Sequence, residues 1–121
     1  MKKFILGLSF SILFFSNVMA EDLDDVMKAK GKAIFESKGC TLCHKLDKEL
    51  IGPSVRKIAE SYTGKESSLV PYLSSQGTPI VYPDRAPVMN PQLAKIKTLS
   101  EEKMKALATY LISAADRPRQ R

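Results

Sequence analysis

The sequence predicts a small all-α domain of about four helices behind a short export leader. Apolar residues recur at helical spacing in successive segments, no convincing pair of strands is present, and glycine or proline punctuates each helical run. A chain of 121 residues has room for one domain, not for a solenoid, a TIM barrel or a two-domain dinucleotide-binding enzyme. Hydrophobic residues at 44% and charged residues at 26% are ordinary for a globular protein and exclude disorder over the whole length.

Residues 1–20 read as the leader. Met1-Lys2-Lys3 is a positive start, Phe4 to Phe15 is largely apolar, and Val18-Met19-Ala20 ends in small residues. That order predicts a cleaved secretory signal, cut after Ala20, and a periplasmic mature domain over residues 21–121. An uncleaved anchor is the competing reading, but the stretch is at the lower edge of a spanning length and an acidic run, Glu21 to Asp25, follows it directly. The membrane is then met only by the precursor. Cleavage leaves 17 Lys and Arg against 13 Asp and Glu, a net charge of +4. Export and the lack of aromatic residues interleaved with the basic ones argue against nucleic acid. The mild excess, with Lys28, Lys30, Lys32, Lys38, Lys45 and Lys48 early in the chain, suits a solvated surface or steering toward an acidic protein partner.

The first helix follows from Met27, Gly31, Ile34 and Phe35, which share one face, with acids at its start, Lys38 at its end and Gly39 as the residue that stops it. Gly31 weakens a helix interior, so its place on the apolar face suggests close approach of another helix. Pro53 suits the first position of a second helix carrying Val55, Ile58, Ala59 and Tyr62, closed by Gly64. A third spans about Ser68 to Ser75, with Pro71 near its first turn and Gly77 beyond it. Thr78 to Pro91 holds Pro79, Pro83, Pro87 and Pro91 and reads as an extended loop, with Ile80-Val81-Tyr82 briefly extended. The last helix starts at the cap Ser100 and carries Met104, Leu107, Ala108 and Leu111. Residues 116–121 read as a loose basic tail.

Both cysteines and the single histidine stand together in Cys40-Thr41-Leu42-Cys43-His44. Cys-x-x-Cys-His is the attachment signal for c-type haem. On one helical turn, positions i, i+3 and i+4 project to the same side, so two thiols reach two vinyl groups and the imidazole is delivered under the iron. A redox dithiol would need a strand–helix context that is missing here. A zinc site would be a ligand short. With no second histidine, methionine is the candidate for the other axial position. Met27 and Met104 lie on apolar helical faces, where a thioether is ordinary core filling. Met89 lies between Pro87 and Pro91, which brace it.

Taken with Gly31-x-x-x-Phe35, Ile51-Gly52-Pro53, Gln76-Gly77, Pro87 to Pro91 and Leu107-Ala108-x-Tyr110-Leu111, the motif makes the chain resemble class I cytochromes c, most nearly the small bacterial monohaem type often called cytochrome c-551, c-552 or c8. The resemblance implies helices wrapped around one covalent haem c, with the N- and C-terminal helices crossing where Gly31 and Phe35 meet Tyr110 and Leu111. It implies that the Pro53 carbonyl accepts a hydrogen bond from His44 Nδ1. Pro71 and the stretch 78–86 depart from the family's short members.

The function expected is one-electron transfer between redox protein partners by a monomer, with Cys40 and Cys43 holding the haem and His44 and Met89 as iron ligands. No enzymatic activity and no small-molecule substrate are expected. The rivals are a ligand-binding sensor or peroxidase-like protein with a displaceable Met89, and an exported thiol oxidoreductase.

Overall fold

The computed structural model describes residues 16–119. Its order is α1 (Ser16–Ser37), a 3-10 turn at Cys40–Leu42, α2 (Val55–Tyr62), a 3-10 turn at Glu66–Ser68, α3 (Leu69–Leu73), a 3-10 stretch at Pro83–Met89, α4 (Asn90–Ile96), α5 (Glu101–Ile112) and a closing 3-10 turn at Ser113–Asp116. The fold class is all-α, as the sequence predicts. Among the described residues there is no strand, and Ile80-Val81-Tyr82 is irregular rather than extended. Residues 1–15, most of the expected leader, lie outside the described residues. No helix among those described is long and apolar enough to cross a membrane.

The terminal helices α1 and α5 cross, and Gly31 is the point of closest approach. A methyl group at Gly31 would lie 2.0 Å from the Ala106 carbonyl oxygen and 2.6 Å from Tyr110 Cβ. Only glycine permits that distance, which answers why a weak helix former stands in the middle of α1. One turn on, the Phe35 and Tyr110 rings are 5.4 Å apart and tilted at 51°, an ordinary geometry for an aromatic pair. Lys30 reaches across to Glu102 at the start of α5.

The helix ends follow local chemistry. Gly39 takes φ 74 and Gly64 φ 76, the left-handed conformation that ends a helix without side-chain strain. Ser100 caps α5 by accepting from the Lys103 amide at 3.3 Å. Several expectations are corrected. α2 starts at Val55, with Ser54 as its cap accepting from the Lys57 amide at 3.0 Å, so Pro53 lies outside the helix. α3 is only five residues long, though Pro71 does lie in its first turn as expected. The left-handed residue after it is Ser75, at φ 62, and Gly77 is small because a Cβ there would meet the Tyr72 amide at 2.7 Å. In the uncleaved chain α1 runs through Glu21 to Asp25 from Ser16, the first described residue.

The largest difference lies in the proline-rich segment. It is a 3-10 stretch running into α4, a fifth helix that starts in the last two residues of the expected loop and continues over residues for which no element was expected. Pro91 sits in the first turn of α4, where its missing amide costs nothing, and Leu93 and Ile96 are buried. The basic tail is also less loose than expected. The Arg117 guanidinium stacks 4.4 Å over the Tyr110 ring and donates to the Tyr110 carbonyl at 3.0 Å.

Arg56 ties these parts together. Its side chain is 5% exposed and pairs with Asp47 on the loop after His44. It also donates to the Ala114 carbonyl at 2.7 Å and the Ala115 carbonyl at 3.3 Å, both in the 3-10 turn that follows α5. Arg56→Met keeps the apolar stem and removes all these donors. It is expected to lower the urea midpoint clearly more than Lys30→Met at the exposed pair.

The Lys30–Glu102 contact also predicts a pH effect. The hydrogen bond from Lys30, and after it the lysine charge, hold the Glu102 carboxyl below its ordinary 4.5. A carboxylate lowered on folding adds stability that is present above its unfolded pKa and lost as the pH falls through the lowered value. The window is therefore acidic. Glu102→Gln should flatten a small, salt-sensitive part of the acid loss in urea midpoints.

Candidate haem site

The turn after α1 places the Cys-x-x-Cys-His residues. Gly39 reverses the chain, the Cys43 amide bonds the Cys40 carbonyl at 3.2 Å, and the His44 amide bonds the same carbonyl at 3.0 Å. The turn is tighter than the α-helical one expected, yet Cys40, Cys43 and His44 all line one cavity. Both thiols are free and half-buried. Burial is the largest influence on the Cys40 thiol and pushes it above its ordinary value, opposite to the depressed thiols of redox dithiols. Among the described residues no group of three metal-ligating side chains gathers, so the zinc reading finds no further ligand.

His44 is 7% exposed. Its Nδ1 lies 2.7 Å from the Pro53 carbonyl oxygen, which can only accept, so Nδ1 carries the proton and Nε2 keeps its lone pair. The loop that supplies this carbonyl is pinned to the motif by the Gly52 amide bonding the Cys43 carbonyl at 2.8 Å and the Val55 amide bonding the Lys45 carbonyl at 2.8 Å. Gly52 lies flat against the imidazole. A Cβ there would stand 2.5 Å from Cε1 of His44.

The cavity has a volume of about 310 Å³. That falls within the range of about 300–1,000 Å³ usual for cofactor sites. Phe35, Ile58, Leu69, Leu73, Leu107 and Leu111 line it, and Met89 enters its wall from the end of the 3-10 stretch. Met89 is thus brought to the motif across the 44 intervening residues, whereas Met104 is 3% exposed in the core and does not line the cavity. Tyr72, Arg85 and Gln92 carry donors on the lining, the Tyr82 hydroxyl there is already given to Glu49, and no carboxylate lines it among the described residues. Two thiols, an imidazole with a free Nε2, a thioether, apolar walls and polar donors without acid suit a flat apolar macrocycle bearing anionic carboxylates. The residues therefore fit haem.

Sequence reasoning missed Asp47, Glu49, Gly52, Arg56, Tyr82, Arg85 and Gln92. Gly52 had a signal in Ile51-Gly52-Pro53, which the resemblance quoted without a physical reason. The others are ordinary polar residues whose roles depend on distant partners.

The family model for cytochrome c matches residues 28–115. The chain is 40% identical over 35 residues to cytochrome c-551 of Azotobacter vinelandii, covering 29% of this chain and 43% of that protein. It is 37% identical over 38 residues to cytochrome c-551 of Stutzerimonas stutzeri, covering 31% and 36%. It is 28% identical over 83 residues to cytochrome c-551 of Pseudomonas denitrificans, covering 69% and 95%. The matched stretches thus span less than half of the first two relatives and nearly all of the third. With the family model running from within α1 into the closing 3-10 turn, well over half of the sequence, this chain belongs to the cytochrome c family and carries one covalently bound c-type haem.

Proposed function

We propose that the protein is a periplasmic one-electron carrier with His44 and Met89 as axial ligands and thioethers at Cys40 and Cys43. The observation that carries this reading is that His44 and Met89, with 44 residues between them, line one cavity beside both thiols. Cys40 and Cys43 would hold the haem through thioethers, each S–H adding across a vinyl group so that nothing is lost. The bound haem supplies the iron that takes up and releases the electron. The protein's part is to hold it. Pro53 fixes the tautomer that leaves Nε2 of His44 for the metal. The thioether of Met89 would be the second protein ligand of the iron and would favour its ferrous state. The apolar walls keep water away.

The rim of the cavity suits redox protein partners with acidic docking surfaces. Ile51 and Val88 line the cavity yet are 66% and 67% exposed, and Lys45, Lys48 and Arg85 are exposed on the segments beside them. Electrostatic steering of this kind speeds encounter more than it tightens the complex. The protein is proposed to act as a monomer, without a small-molecule substrate, after cleavage behind Ala20. Mass spectrometry should find Glu21 as the first residue.

The test of the function is the spectrum of protein matured with haem. A carrier gives a sharp low-spin reduced spectrum that carbon monoxide leaves unchanged. A carbon monoxide adduct at neutral pH would favour a ligand-binding protein, and a colourless product a thiol enzyme.

A further inference from the structure

Two segments flank the cavity: the loop after His44, and the stretch that ends at Met89. They meet through three side chains that neither the haem-binding motif nor the core explains. The Tyr82 hydroxyl donates to Glu49 Oε1. The Arg85 guanidinium lies 4.0 Å over the Tyr82 ring, and its Nη2 is 4.0 Å from Glu49 Oε1. Tyr82 and Arg85 both line the cavity, and Glu49 is six residues or fewer from His44 and Gly52.

The backbone of Tyr82 makes this contact notable. It has φ 47 and ψ 65, left-handed, at a bulky aromatic residue where glycine or asparagine would be expected. Such a conformation persists only where surrounding contacts enforce it. The strained residue starts the Pro83–Met89 stretch, and the Arg85 amide bonds the Tyr82 carbonyl at 2.9 Å. The chain therefore accepts strain where it sets the direction of the segment bearing Met89.

We propose that Glu49, Tyr82 and Arg85 form a clasp over the rim of the cavity, and that they are positioning residues for Met89. Glu49 anchors the phenol to the loop that follows His44, and Arg85 packs over the ring. Releasing the clasp lets the Pro83–Met89 stretch swing outward more often, so that an outside ligand competes better for the axial position. This rests on the reading of Met89 as a ligand.

The test is imidazole binding to the ferric holoprotein, followed by loss of the far-red methionine–iron band. Tyr82→Phe keeps the ring for Arg85 and removes the hydroxyl. Glu49→Ala removes its acceptor. Each should tighten imidazole binding about fivefold, the weight of one exposed hydrogen bond. The double variant should bind no tighter than Glu49→Ala alone, because that change already breaks the contact that Tyr82→Phe removes. Lys32→Ala, at the exposed Lys32–Glu36 pair on α1, should leave the affinity unchanged. A urea midpoint that falls in the clasp variants with imidazole affinity within twofold of the parent would show a merely structural contact and overturn the proposal. Additive effects of the two substitutions would overturn it as well. A parent protein lacking the far-red band would overturn the Met89 reading and the clasp with it, whereas a parent showing the band with unresponsive variants overturns the clasp alone.

Discussion

Met89→Ala is expected to open one axial position of the haem while leaving the holoprotein folded. The ferric far-red band should vanish, carbon monoxide should bind the ferrous form, and the reduction potential should fall because a soft thioether no longer favours Fe(II). The fold should survive because Met89 is only partly buried and packs at the edge of the core, while Cys40, Cys43 and His44 remain. Met27→Leu and Met104→Leu nearly conserve volume and should cost less than about 1.5 kcal/mol without changing the spectrum. Loss of the band in Met104→Leu, with Met89→Ala keeping it, would refute the assignment.

Gly31→Ala is expected to cost about 3 kcal/mol, the upper end for overpacking a close contact. On propensity alone the same change would gain roughly 1 kcal/mol in a helix interior, so the sign of the effect is diagnostic. The added methyl would sit 2.0 Å from the Ala106 carbonyl oxygen, and that neighbour is backbone that cannot rotate aside. The helices would have to separate, loosening the Phe35–Tyr110 pair beside them. Urea unfolding of the holoprotein measures the loss. An unchanged or raised midpoint would mean that α1 and α5 do not cross at this distance.

Arg56 shows where sequence reasoning runs out. Nothing in its neighbours says that an arginine at the start of α2 should be buried. Its partners, Asp47 and the carbonyls of Ala114 and Ala115, come from both sides of the chain and up to 59 residues away. α4 was hidden for a related reason. Pro83, Pro87 and Pro91 suggest a loop, yet each fits a 3-10 turn or a first helical turn once the chain is packed, and Leu93 and Ile96 gain their meaning from burial.

What could be read without coordinates was whatever depends on residues close in the chain. Cys40, Cys43 and His44 share one turn because three or four positions bring side chains to one side, whatever surrounds them. The faces of α1, α2 and α5 follow from the same periodicity, and Gly39, Gly64 and Ser100 end or begin helices through local backbone bonds. Met89 could be named by elimination, by the prolines on either side of it and by the resemblance. Its place on the cavity wall, the left-handed Tyr82, the ring contact of Gly52 with His44 and the reach of Arg56 were decided by the tertiary fold. The physical reason is that each of these depends on distances between segments remote in sequence, which packing sets and local propensity does not.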